Sequence, residues 1–127
     1  MIKKEKIVLV VEDEVALQQA IKLKLEKEGI KAYTAQRVAE AIKILKKLKT
    51  VDVVWLDHYL LGKENGLDFV VKLKSVEEWK KIPIFVVSNT ATHDKIDSYL
   101  KLGVHKYYTK SNLKLDSILK EIVGLKC

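Results

Sequence analysis

Hydrophobic and polar positions along the chain follow two alternating patterns, which are short apolar runs and longer segments with apolar residues at helical spacing. A short apolar run is typical of a buried β-strand, whereas apolar residues three and four positions apart are typical of one face of an α-helix. Each apolar run is followed by such a helical segment. The pattern therefore predicts five strand–helix units, with strands at 7–11, 31–34, 51–56, 84–87 and 104–109.

Glycine and proline mark several of the predicted boundaries. Gly29 and Gly103 predict helix ends, since glycine readily adopts the left-handed conformation that closes a helix. The third helix is predicted to begin at Gly66. Pro83 is predicted to open the fourth strand, at a position where a missing backbone N–H is tolerated.

The regularity of this alternation predicts the architecture. Strands that alternate with helices favour a parallel sheet covered by helices on both faces. Right-handed crossovers then restrict the fold to a doubly wound α/β sheet, and five strands are too few for an eight-stranded barrel. Because the 127-residue chain contains no long polar linker, we expect one domain over residues 1–127 and no effector domain.

The charge of the chain is positive but dispersed. Its formal net charge of +7 comes almost wholly from lysines in every segment, and Arg37 is the only arginine. Solvated faces explain such scatter better than a nucleic-acid surface, which tends to use arginine. No apolar run approaches the roughly 20 residues that cross a bilayer, and no signal-peptide cleavage region follows the first run. We therefore expect a cytoplasmic protein without membrane insertion.

Chemically reactive side chains follow four of the five predicted strands. Glu12 and Asp13 come directly after the first strand, Asp57 after the third, Ser88 after the fourth and Lys110 after the fifth. Because parallel strands end at the same edge of a sheet, we expect these side chains to meet there. Clustered carboxylates repel each other unless a cation neutralises them, and Mg²⁺ prefers carboxylate and phosphate oxygens. A nearby lysine and hydroxyl would serve a phosphoryl group.

These residues lie in a set of motifs that resembles the receiver domain of bacterial two-component response regulators. The resemblance covers essentially the whole chain and implies a flavodoxin-like sheet with the strand order 2-1-3-4-5. The segments that carry it are Val10-Val11-Glu12-Asp13, Val53-Val54-Trp55-Leu56-Asp57, Asn65-Gly66, Val86-Val87-Ser88 and Tyr107-Tyr108-Thr109-Lys110.

The resemblance implies a role for each matching residue at the sheet edge. Asp57 would accept a phosphoryl group from a sensor histidine kinase or a histidine phosphotransfer protein. Asp13 and Asp57 would bind Mg²⁺ directly, Glu12 would do so through water, and Tyr59 would contribute its backbone carbonyl. Lys110 would pair with the phosphoryl oxygens.

The resemblance also implies how a signal leaves the site. Ser88 would turn toward the phosphoryl group and Tyr107 would follow it inward, which would switch a surface that binds a downstream protein target. The protein would promote only its own phosphorylation and dephosphorylation. It would therefore be a signalling protein and not an enzyme that acts on other substrates.

Three positions depart from the family pattern, and one of them is Asn89, which follows Ser88 where a small residue is common. Leu61 stands where a proline is usual, four residues after Asp57, and the loop to the third helix is one residue longer; we expect Gly62 to absorb this change. Ser111 stands where a proline usually follows the lysine of the motif. We expect a trans peptide bond there, because a cis bond without proline costs about 2.5–4 kcal/mol.

Three other functions are alternatives. A receiver-like scaffold would bind partners without being phosphorylated, and the departures at Leu61 and Ser111 leave room for it. A flavodoxin-like cofactor binder would need a phosphate cradle rich in glycine, serine and threonine after the first strand, where the acidic run 12–14 instead repels phosphate. A basic adaptor would bind nucleic acid with a salt dependence set by its lysines.

Overall fold

The computed structural model of the protein describes residues 5–48, 50–89, 92–110 and 115–125. Strands and helices alternate through these residues. In chain order they are β1 (Ile7–Val11), α1 (Val15–Lys27), β2 (Lys31–Ala35), α2 (Val38–Lys47), β3 (Val53–Leu56), α3 (Gly66–Lys74), β4 (Ile84–Ser88), α4 (His93–Lys101), β5 (Lys106–Thr109) and α5 (Leu115–Gly124). Among the described residues, no helix has the length and apolar character needed to cross a membrane.

The strands form one parallel sheet with the order β2-β1-β3-β4-β5. The chain moves outward from β1 to β2 and then returns past β1 to β3, so the direction of winding reverses between β1 and β3. In sheets of this kind, ligands bind outside the carboxyl ends of the strands at that reversal. The predicted doubly wound, flavodoxin-like fold is confirmed.

Alternate residues of the central strands contribute to two separate hydrophobic cores. In β1, Val8 and Val10 pack with residues of α1 and α5, whereas Leu9 and Val11 pack with residues of α2, α3 and α4. The same alternation runs through β3 and β4. These strands are nearly continuous apolar runs because helices cover both faces of the sheet.

The glycines mark helix boundaries where they were expected. Gly29 has a φ of 77° and Gly103 a φ of 89°, which is the left-handed conformation predicted for the ends of α1 and α4. Helix α3 begins at Gly66, and Asn65 caps it. The Asn65 side chain accepts the N–H of Asp68, whose carboxylate accepts the N–H of Asn65. This capping box fixes the direction in which the loop between β3 and α3 enters the helix.

Strands β3 and β5 each begin two residues later than the apolar runs indicated. Val51 and Val104 are buried, but neither belongs to a strand. The N–H of Val104 instead donates to the carbonyl of Tyr99 at the end of α4. An apolar run therefore indicates burial, whereas a strand begins only where the backbone forms hydrogen bonds with the adjacent strand of the sheet.

Candidate functional site

The carboxyl ends of β1 and β3 hold two acidic side chains in the interior. The N–H of Asp57 donates to the carbonyl of Val11 (2.9 Å) and the N–H of Glu12 to the carbonyl of Ala35 (2.9 Å), so backbone pairing continues one residue beyond each strand. Asp57 is 3% exposed and Glu12 is 0% exposed. Charged groups are rarely buried this deeply without a partner.

Lys110, directly after β5, supplies that partner. Its Nζ lies 2.9 Å from Glu12 Oε1, 3.1 Å from Asp57 Oδ2 and 3.6 Å from Glu14 Oε1. The Lys110 side chain is only 11% exposed. One ammonium therefore joins the ends of β1, β3 and β5 at the predicted edge of the sheet.

The carboxylates at this edge outnumber the ammonium. Oxygen atoms of Glu12, Asp13 and Asp57 lie within 4.8 Å of one another. Among the described residues, Asp57 Oδ1 accepts no hydrogen bond, whereas Glu12 Oε1 lies 2.9 Å from the Lys110 ammonium. A buried oxygen without a donor, in a group of hard ligands, fits a divalent cation such as Mg²⁺. We call Glu12, Asp13, Asp57 and Lys110 the edge cluster.

The shortage of positive charge changes the acidity of the edge cluster. Burial, a hydrogen bond with Asp13 and the charge of Asp57 raise the pKa of Glu12 to about 8. Burial opposes the charge of Lys110, but its hydrogen bonds to Glu12 and Asp57 outweigh that effect and raise the lysine pKa. The ammonium is thus held in its charged form while the carboxylates remain short of compensating charge.

The two predicted switch residues lie beside the edge cluster. Ser88 ends β4 and is fully buried, and Tyr107 in β5 is partly buried. Burial raises the pKa of Tyr107, while a side-chain hydrogen bond with Ser88 opposes this shift. The two side chains are therefore in contact across the β4–β5 pair.

Tyr59 lies on the outside of the loop that follows Asp57. Its side chain is 53% exposed, its ring meets the ring of His58 edge-on at 4.9 Å, and Lys95 Nζ lies 5.5 Å from its ring centroid. These contacts concern the side chain alone. The role of the Tyr59 backbone carbonyl as a metal ligand stays a prediction.

The loop that departs from the family pattern is hydrogen-bonded to the segment directly after β2. The N–H of Leu61 donates to the carbonyl of Gln36 (2.9 Å), a bond that a proline at this position would lack. Gly62 has a φ of 88°, consistent with the expectation that glycine absorbs the altered loop length. The side chain of Gln36 donates in turn to the carbonyl of Asp13 (2.9 Å). Ser111 and its peptide bond lie outside the described residues.

Two polar residues of this region were not identified from the pattern. Gln18 is buried, and its amide donates to the carbonyls of Glu12 and Ala35. The sequence did hold a signal for its burial, since Gln18 lies three residues before Ile21 and therefore on the same, buried face of α1. His58 is also buried and contacts a tyrosine of α4; here the local sequence offered no indication of a partner 41 residues away.

Comparisons with known proteins agree with this geometry. The family model for the response regulator receiver domain matches residues 8–123. Over 103 residues the chain is 30% identical to the chemotaxis protein CheY1 of Helicobacter pylori, which covers 80% of this chain and 82% of that protein. The crystal structure of a response regulator receiver protein from Pseudomonas putida has a TM-score of 0.87 at 26% identity and covers 95% of this chain and 98% of that chain.

Some relatives are much longer than this chain. The alginate biosynthesis transcriptional regulatory protein AlgB of Pseudomonas putida is 29% identical over 103 residues, which is 81% of this chain. The match covers only 22% of AlgB. The similarity therefore concerns one part of that regulator.

Proposed function

The chain belongs to the response regulator receiver domain family, and on this premise we propose that it is a Mg²⁺-dependent phosphoryl acceptor in which phosphorylation of Asp57 switches a protein-binding surface. Receiver domains act in two-component signalling and bind a divalent metal ion in an acidic pocket, to which the group Glu12, Asp13 and Asp57 corresponds here. The proposal assigns the metal, the acceptor and the switch to individual residues.

The arrangement around Asp57 is the observation that carries the proposal. Its carboxylate is buried, Oδ2 accepts a hydrogen bond from Lys110 at 3.1 Å, and Oδ1 accepts none among the described residues. A buried carboxylate with a purely structural role would be expected to use both oxygens, because an unsatisfied buried acceptor is destabilising. An oxygen without a donor instead suits a nucleophile or a metal ligand.

The metal site would use the acidic residues of two strand ends. Asp13 and Asp57 would bind Mg²⁺ directly, Glu12 would bind through a water molecule, and the Tyr59 carbonyl would complete the protein ligands. Asp13 is partly exposed, which fits an ion that keeps several waters. Bound Mg²⁺ supplies positive charge that neutralises the carboxylates and the incoming phosphoryl oxygens.

In the proposed reaction, a carboxylate oxygen of Asp57 attacks the phosphorus of a phosphohistidine on the donor protein. The new O–P bond forms as the N–P bond breaks, and the imidazole nitrogen keeps the electron pair of that bond. Lys110 remains an ammonium because its pKa is raised, and its charge compensates the transferred phosphoryl oxygens. The protein thereby promotes only its own modification and the later hydrolysis of the acyl phosphate.

The output of the proposed site would pass through Ser88 and Tyr107. The buried Ser88 hydroxyl would turn toward the phosphoryl group, and Tyr107, which contacts Ser88, would follow it inward. A local charge change would thus bias a packed, two-state surface. The proposed partners are a sensor histidine kinase or a histidine phosphotransfer protein as donor and a downstream protein as target.

Intact-mass measurement after incubation with Mg²⁺ and acetyl phosphate tests this function. We expect wild type to gain the mass of one phosphoryl group, and Asp57→Asn or wild type with a chelator to gain none. Asp116→Asn is the matched control, because it removes an exposed carboxylate whose ion pair with Lys24 joins α5 to α1; it should be modified like wild type. An unmodified wild type, or a modification that persists in Asp57→Asn, would contradict the proposal.

A further inference from the structure

A buried histidine–tyrosine pair lies next to the proposed acceptor, Asp57. His58 follows Asp57 in the chain, and its Nδ1 lies 2.6 Å from the hydroxyl of Tyr99. Tyr99 belongs to α4 and is 0% exposed, and His58 is 3% exposed. The hydrogen bond therefore joins the loop between β3 and α3 to the last turn of α4. We call this loop, residues 57–65, the acceptor loop.

The start of α3 meets the same pair. The N–H of Gly66 donates to the carbonyl of His58 at 2.9 Å. A Cβ at position 66 would collide with the Tyr99 hydroxyl and would lie 2.9 Å from the Asp57 carbonyl and 3.0 Å from the His58 Cα. The absence of a side chain at Gly66 thus makes room for Tyr99 against the backbone of the acceptor loop.

Tyr99 also reaches the proposed switch. Its ring centroid lies 5.8 Å from that of Tyr107 and 5.7 Å from that of His58. A continuous row of rings therefore connects the residue after Asp57 with α4 and β5. This row approaches α4 without passing through Ser88.

The His58–Tyr99 hydrogen bond lies in the interior, since both side chains are almost fully buried. Such a pair resists separation, because each partner would lose its hydrogen bond in a place that water does not reach.

We propose that the His58–Tyr99 hydrogen bond couples the acceptor loop directly to α4, as a second connection beside the one through Ser88 and Tyr107. This inference rests on the proposed function, since the movement to be transmitted is the response to an acyl phosphate on Asp57. His58 and Tyr99 are positioning residues that act through the acceptor loop. If the loop moves, α4 follows it or the hydrogen bond breaks, which gives the coupling two discrete states.

Amide NMR with Mg²⁺ and BeF₃⁻, an analogue of the phosphoryl group, tests the coupling. In wild type we expect shifts at Ser88, at Tyr107 and through α4. In Tyr99→Phe the shifts at Ser88 and Tyr107 should keep their size, while those in α4 should fall by at least half. Tyr33→Phe is the control, because it removes the hydroxyl of a partly buried tyrosine on β2, and it should respond like wild type.

Substitutions of His58 separate the hydrogen bond from packing. His58→Asn keeps a hydrogen-bonding atom near the position of Nδ1, so we expect the α4 response of wild type. His58→Leu keeps bulk without a polar atom and should reproduce Tyr99→Phe. The ¹⁵N signal of His58 Nδ1 should also shift in Tyr99→Phe, and thermal unfolding of each variant shows that it is folded at the temperature of the spectra.

The outcomes distinguish this inference from the function on which it rests. If wild type shows no response to BeF₃⁻ at Ser88 or Tyr107, the proposed function fails and the coupling fails with it. If wild type responds and α4 responds just as strongly in Tyr99→Phe and His58→Leu as in wild type, the coupling alone is overturned. An equal loss at Ser88, Tyr107 and α4 would also overturn it, because the pair would then support packing in general.

Discussion

Two lysine–carboxylate clusters flank β5, and they differ in burial more than in chemistry. The edge cluster lies beyond the end of the strand, where the Lys110 side chain is 11% exposed. A second cluster, which we call the surface cluster, is formed against α5 by Lys106, Tyr108 and Glu121. There the side chains of Lys106 and Glu121 are 49% and 34% exposed.

The two clusters also differ in how completely their charges are matched. In the surface cluster, hydrogen bonds from Tyr108 and Lys106 lower the pKa of Glu121. In the edge cluster, three carboxylates share one ammonium, and burial raises the pKa of Glu12 to about 8. A matched pair at the surface joins two elements, whereas unmatched negative charge in the interior suits a divalent cation.

The two clusters should differ most in how much stability the protein loses when the lysine of each cluster is replaced. Lys110→Met leaves buried carboxylates without their ammonium, which should lower the free energy of unfolding by about 3 kcal/mol. We expect the low end of the range for broken buried ion pairs, because the raised pKa of Glu12 leaves that carboxyl partly protonated at pH 7 already. Urea unfolding at pH 7 without Mg²⁺ measures this change.

Lys106→Met is the matched control for that measurement. The Lys106 ammonium is exposed to solvent, so water and salt screen its interaction with Glu121. We expect a far smaller change in the unfolding midpoint than for Lys110→Met. Equal changes in the two variants would show that burial does not distinguish the clusters.

The next largest difference should be between a methyl group added at Gly66, which packs against the acceptor loop, and one added at Gly124 at the end of α5. Gly66→Ala places a Cβ 2.9 Å from the Asp57 carbonyl and against the Tyr99 hydroxyl, so overpacking should lower the free energy of unfolding by about 2 kcal/mol. Gly124 ends α5, and a Cβ there would meet nothing within 4 Å. Gly124→Ala should therefore leave stability unchanged or slightly increased, since alanine favours the helix. Thermal unfolding of both variants tests the contrast, and a Gly66→Ala variant as stable as wild type would refute it.

The two clusters should also differ, by a smaller free energy, in their effect on stabilisation of the protein by Mg²⁺. At ten times its dissociation constant, Mg²⁺ should stabilise wild type by about 1.4 kcal/mol. Asp13→Asn removes a proposed ligand and a repelling charge, so the variant should be more stable than wild type without Mg²⁺ and should lose this increment. Glu121→Gln should keep the increment in full. Thermal unfolding with and without Mg²⁺ measures it, and an increment retained in Asp13→Asn would remove that residue from the metal site.

The edge cluster could be predicted because its members follow from fold topology. Residues after parallel strands meet at one edge whatever the details of packing, so Glu12, Asp57 and Lys110 could be placed together from strand ends alone. The strand starts were less predictable, because Val51 and Val104 are buried without belonging to a strand.

The contacts of the acceptor loop could not be predicted in the same way. His58 and Tyr99 meet through the packing of α4 against the sheet, and their bond spans 41 residues. The Leu61 N–H reaches Gln36 through a loop whose path depends on the conformation of Gly62. Side-chain partners between distant elements are set by tertiary packing, which periodicity does not describe.

The smallest expected effect is the pH-dependent contribution of Glu121, in the surface cluster, to the free energy of unfolding. Hydrogen bonds from Tyr108 and Lys106 lower its pKa below the usual value of 4.5, so the ionised form stabilises the folded state above that value. This contribution should be lost as the pH falls through the lowered pKa. Because the pair is exposed and screened, Glu121→Gln should lower the free energy of unfolding by only about 0.5 kcal/mol at pH 7. Urea unfolding at pH 7 and pH 3 should show wild type and variant converging at the lower pH. A difference that persists at pH 3 would show that Glu121 stabilises the protein through packing and not through its charge.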